Sequence, residues 1–134
     1  MPTRPFQLPV VLAAFLVVIA VVNAFADVYY WYWTIRWFDK PMHFAGGAWL
    51  ASLGVWWYYS RKEIIPQKFL SVLGVCLAFS FGIGFIWEIY EAAVSFITAG
   101  HLSELWDTLG DLLFDILGSI TVAILYWLRL KQKS

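Results

Sequence analysis

Residues 107–128 read DTLGDLLFDILGSITVAILYWL, a run without a single basic residue and long enough to cross a hydrocarbon core of about 30 Å as a helix. Asp107, Asp111 and Asp115 recur in it at intervals of four, so they share one helical face about 12 Å long at 1.5 Å per residue. A charged side chain at mid-bilayer costs about 2.5–3.5 kcal/mol on insertion scales, so three of them on one face need partners, protons or a metal. This segment therefore points to a membrane helix facing other helices rather than lipid.

The rest of the chain extends that reading. It is 62% hydrophobic with only 13% charged residues over 134 positions, too apolar for a soluble domain and too short for a second unit beside the spans. The expected fold is all-α, a transmembrane bundle of four spans at about 8–26, 41–59, 69–98 and 108–128, forming one membrane domain. An aromatic connection, Tyr29-Tyr30-Trp31-Tyr32-Trp33 followed by Trp37 and Phe38, lies between spans one and two and reads as interfacial. Zero formal charge suggests no nucleic-acid partner. Cys76 is the only cysteine, so an internal disulfide and a thiolate metal site are excluded.

Basic residues orient the bundle. Arg4, Arg61, Lys62, Lys68, Arg129, Lys131 and Lys133 fall on one side of a four-span arrangement, and only Arg36 and Lys40 on the other. The positive-inside rule then places both termini in the cytoplasm, in a bacterial inner (cytoplasmic) membrane, and eight of nine acids in the outer half. A competing reading takes Arg4, the apolar run and Ala24-Phe25-Ala26 as a cleaved secretory signal, which would leave three spans. Gly47 with Ala51, and Ala78 with Gly82, are small residues four apart that would let helices approach closely.

The acids of the other spans match the first set in depth. Asp39 and His43 open the second span, and Glu88 and Glu91 lie near the outer end of the third. Carboxylates in excess with one imidazole and no thiolate suit Zn, Mn, Fe or Mg. Asp39, His43, Glu88, Asp111 and Asp115 are the candidate metal ligands, with Glu91 and Asp107 as acid/base or supporting groups. His101, in the outer loop, could add a second imidazole. Plainer readings stand beside these: Asp39 and Asp107 as helix N-caps, His43 as a satisfied core histidine, Glu91 at a water-filled rim. Asp111, Asp115 and Glu88 lie where neither capping nor solvent is an easy outlet. Ser80, Ser95 and Ser119 are intramembrane hydroxyls suited to bonding neighbouring helices. No glycine-flanked serine elbow, P-loop or dinucleotide fingerprint occurs.

The run from Asp107 to Gly118, with Trp87-Glu88-Ile89-Tyr90-Glu91 and Asp39-Lys40-Pro41-Met42-His43-Phe44, resembles the pattern of the YjdF-like family of small bacterial membrane proteins. More distantly it is similar to the VanZ-like family. In the VanZ-like pattern the positions matching Glu91 and Asp115 tend to be amides; here both are acids, which favours the YjdF-like assignment and argues against transferring a glycopeptide-resistance function. The resemblance implies a multi-pass helical membrane protein and supplies no settled activity.

Three functions follow as expectations. The first is a divalent-metal site near the outer face that could generate a hydroxide for hydrolysis of a lipid-linked or envelope small molecule. The second is a proton- or cation-coupled transporter, for which Gly82-Ile83-Gly84 would mark a helix break and the short chain would require a homo-oligomer. The third is a non-enzymatic scaffold in which protonated acids hydrogen-bond between helices, bonds that average about 0.6 kcal/mol in membrane proteins.

Overall fold

A computed structural model describes residues 7–99 and 105–132. Its described residues form helices and turns without strands: α1 (Gln7–Val28), the short α2 (Trp31–Thr34), α3 (Asp39–Val55) continued by a π-helical turn (Trp56–Ser60), α4 (Phe69–Ala99) and α5 (Leu105–Lys131). Three of these are long and apolar enough to cross a membrane, over Pro9–Val28, Phe69–Val94 and Leu105–Lys131. α3 is shorter, interrupted by glycines, and packs against α1, α4 and α5.

Local chemistry sets the boundaries. α1 is largely apolar up to Asn23 and Asp27 near its end, and the chain turns where Tyr30 adopts a left-handed conformation (φ 56°, ψ 34°), which a side chain tolerates only as a single turn residue. Ring contacts of Phe38 with Trp31 and Tyr32, both at 5.3 Å between centroids, fold the aromatic connection over itself before α3 begins. Asp39 is the first helical residue of α3 rather than its cap, which is Phe38 without a side-chain capping bond. Pro41 falls in that first turn, where its missing N–H has no helical partner to lose. α5 starts three residues earlier than the span expected at 108–128, so Asp107 sits inside its first turn and is not an N-cap.

The bundle has an apolar end and a polar end. At the first, Ala51, Val55, Tyr59, Val72, Cys76 and Ala123 form the buried core, where the C-terminal part of α3, the start of α4 and the C-terminal part of α5 converge. Arg61, Lys62 and Lys131 lie over the rings of Trp57, Tyr58 and Trp127 at this same end, at 4.5, 5.2 and 5.8 Å. The opposite end, where α3 starts, α4 approaches its finish and α5 starts, carries the acids.

Close backbone approach makes the polar end possible. A Cβ on Gly47 would meet the backbone of Asp115, its carbonyl oxygen first and its Cα at 2.6 Å, and a Cβ on Gly118 would meet the Phe44 carbonyl and the Ala48 nitrogen. α3 and α5 therefore cross in direct main-chain contact, one helical turn from His43. On α4 the inward face is Val72, Cys76, Ser80, Gly84 and Glu88, a strict four-residue stripe of buried residues. Ala78 and Gly82, expected to mediate packing, point outward instead, because the stripe lies on the other side of the helix.

Candidate functional site

His43 stands at the centre of four carboxylates drawn from three helices. Its Nε2 lies 3.7 Å from Asp39 Oδ1, one turn earlier on α3, 3.9 Å from Glu88 Oε1 of α4 and 3.9 Å from Asp111 Oδ1 of α5. Its Nδ1 faces Asp115 Oδ1 at 3.5 Å. The i,i+4 spacings put Asp39 over His43 and Asp111 over Asp115, and the close α3–α5 crossing brings the two faces together. His43, Glu88, Asp111 and Asp115 are all buried.

Two oxygens in this cluster have no hydrogen-bond partner: Glu88 Oε1 and Asp115 Oδ2, on residues only 5% and 3% exposed. A buried carboxylate oxygen left without a donor is costly, by about 1–3 kcal/mol or more for a charged group. Lys40 donates to Asp107 Oδ1 at 2.7 Å and to Asp111 Oδ1 at 2.5 Å, clamping the first turn of α5 to that of α3. The Ser80 hydroxyl donates to the Asp115 backbone carbonyl at 3.0 Å, fixing α4 against α5 beside the cluster.

Donor atoms of Asp39, His43 and Asp111, and separately of His43, Glu88 and Glu91, lie within 4.8 Å of one another. Metal–oxygen and metal–nitrogen bonds of about 2.0–2.2 Å need ligand atoms somewhat closer than that, a contraction within reach of carboxylate rotamers. Glu91 sits one turn beyond Glu88 and is half-buried, so it borders the cluster rather than filling it. Asp107 is well exposed and held by Lys40. His101 lies outside the described residues.

A groove of about 1000 Å³ opens from this cluster between α1 and the α3–α4 face. α1 is pinned to α3 by the Trp49 indole N–H, which donates to the Leu12 carbonyl at 2.8 Å. At the polar end Tyr32 donates to Asn23 Oδ1 at 2.5 Å, and Asn23 donates in turn to Asp27 at 3.2 Å. The Tyr32 hydroxyl is pushed up to about 12, first by burial and then by the negative charges of Asp39, Asp27 and Glu91, so it remains a donor at neutral pH.

Lys40 is the participant that sequence reasoning undervalued, counted there only as one of two outer basic residues. Its signal was available, since a lone lysine in the same turn as Asp39 and His43, facing an excess of acids, has an obvious partner. Ser80 was recognised as an intramembrane hydroxyl, but its acceptor depended on which face α4 turns inward.

A family model described as "Predicted membrane protein (DUF2238)" matches residues 2–132, and the chain belongs to that family. It is accordingly a membrane protein. The YjdF-like pattern of its motifs accords with this assignment, whereas the more distant VanZ-like likeness is not shown by it. Searches of curated proteins and of solved structures returned no match.

Proposed function

We propose that this chain is a four-span membrane protein that binds one divalent cation at His43, Asp39, Glu88, Asp111 and Asp115, close to the extracytoplasmic face, and uses it to hydrolyse a lipid-linked or envelope small molecule. The observation that carries the reading is the gathering of Asp39, Glu88, Asp111 and Asp115 around one imidazole, with two buried oxygens there, Glu88 Oε1 and Asp115 Oδ2, left without a hydrogen-bond partner. A cation on the Nε2 side of His43 would answer Glu88, whose ligand oxygen lies within 4.8 Å of that imidazole and of Glu91.

The fourth span is α3 with its π-helical turn, residues 39–60, which at 1.5 Å per residue covers about 33 Å and matches the hydrocarbon core. Arg61, Lys62, Arg129 and Lys131 gather at the apolar end, and by the positive-inside rule that end is cytoplasmic and the acids face outward. When bound, the ion would neutralise the acids and lower the pKa of a coordinated water. Glu91, at the rim, would accept or donate a proton; Lys40, bonded to Asp107 and Asp111, would compete with the ion for Asp111 Oδ1. Zn, Mn, Fe and Mg all fit the donor set.

The transporter alternative drew on the intramembrane acids as a relay and on a break at Gly82-Ile83-Gly84; α4 runs through those residues as continuous helix, which removes the second support. Metal analysis of the detergent-purified protein tests the proposal. One ion per chain in wild type, lost in His43→Ala and Asp111→Asn, is expected. Metal-free wild type after exposure to each of the four ions would overturn it.

A further inference from the structure

We infer that the groove between α1 and the α3–α4 face receives a membrane amphiphile bearing a protonated amine in its head, which would be the substrate class of the cation site; this rests on the reading just given. The walls sort by polarity along the bundle. Leu16, Ile19 and Ala20 of α1, Leu50 of α3 and Ile83 of α4 line the deeper part, at acyl-chain depth in the spans. Asn23, Asp27, Tyr32, Asp39 and Glu91 line the polar end, with Arg36 and His43 among them. α1 packs on α3 and α2 and has little packing against α4, so the groove is open on its flank and a lipid can enter sideways without leaving the bilayer.

Charge selects the head group. Among the described residues, seven carboxylates, at Asp27, Asp39, Glu88, Glu91, Asp107, Asp111 and Asp115, stand at this end against two basic side chains, Arg36 and Lys40, and Lys40 is already shared by Asp107 and Asp111. Even with a divalent ion bound, the formal charge stays negative. An anionic head would be repelled and a neutral one would leave the acids uncompensated; an ammonium is attracted. Trp33 and Trp87 line the same groove, and an indole ring attracts an alkylammonium.

The test uses the full chain in bilayer nanodiscs with two brominated probes, an alkylamine and a fatty acid of equal chain length, read by quenching of tryptophan fluorescence, since Trp33, Trp49 and Trp87 line the groove. Saturable quenching is expected from the amine, with the fatty acid giving only the linear background of partitioning. Gly46 lines the groove and a Cβ there meets nothing within 4 Å, so Gly46→Leu fills the space without disturbing the helices. It should weaken amine binding at least tenfold while stoichiometric metal binding persists, and Asp27→Asn should weaken it several-fold. Equal quenching by both probes, stronger quenching by the fatty acid, or an unaffected Gly46→Leu would overturn the inference. Loss of the metal reading shows itself differently, as wild type that binds the amine saturably but no divalent ion.

Discussion

Substituting Gly47 by alanine adds one methyl group at the point where α3 and α5 touch. That Cβ would lie 2.6 Å from the Asp115 Cα and 2.8 Å from its carbonyl carbon, against the 3.4–4 Å of ordinary contact, so the helices must separate by about 1 Å. Both neighbours are backbone and cannot rotate away. Overpacking of this kind costs about 1–3 kcal/mol. Gly46→Ala is the matched control, one residue earlier on the same helix: its Cβ meets nothing within 4 Å, and it gains up to about 1 kcal/mol of helix propensity. The two variants should therefore differ by about 2–4 kcal/mol in stability. Because Gly47 follows His43 by one turn and presses on Asp115 itself, Gly47→Ala should also weaken divalent-ion binding by about tenfold, or 1.4 kcal/mol. Equilibrium unfolding in detergent and a metal titration on both proteins supply the readings. If Gly47→Ala equals Gly46→Ala in both, the helices do not meet at their backbones and the geometry of the site is wrong.

Three further outcomes are expected. Lys40→Met should tighten divalent-ion binding by about tenfold, because the ammonium at 2.5 Å occupies Asp111 Oδ1 and two unit charges 4 Å apart repel by about 4 kcal/mol at an effective dielectric of 20; weaker binding in a titration would assign Lys40 a purely structural part. The Tyr32 hydroxyl, with a pKa raised to about 12 from 10, contributes stability that is complete below pH 10 and lost as the pH rises through 12. The phenolate absorbance of wild type minus that of Tyr32→Phe should accordingly titrate near 12, and a midpoint at 10 would remove Tyr32 from the acidic surroundings described. Membrane-impermeant maleimide should label Trp37→Cys in intact cells, in a Cys76→Ser background, and label Lys62→Cys only after permeabilisation; labelling of both from outside would show that α3 does not span.

Much of the architecture was legible because the acids betray their own faces. Asp107, Asp111 and Asp115, like Asp39 and His43, are spaced at one helical turn, and in an apolar chain only an inward face can carry them. α4 was harder. Nearly every residue around it is apolar, so hydropathy has no period of 3.6 to reveal its azimuth, and the small pair Ala78 and Gly82 pointed to the wrong side. The usable signal was the polar one, Ser80 and Glu88 two turns apart with Cys76 and Gly84 in the same stripe. The cap readings of Asp39 and Asp107 failed for a related reason, since α3 already includes Asp39 as its first residue and α5 begins two residues before Asp107. The groove beside α1 could not be read at all, because it depends on how far one apolar helix leans away from another.

X-ray absorption at the metal edge of the ion-loaded protein addresses the cation site itself. One imidazole nitrogen with two or more carboxylate oxygens at about 2.0–2.2 Å is the expected shell, with the imidazole signature missing in His43→Gln. A shell of oxygens alone in wild type, indistinguishable from the hydrated ion, would contradict a site built around His43.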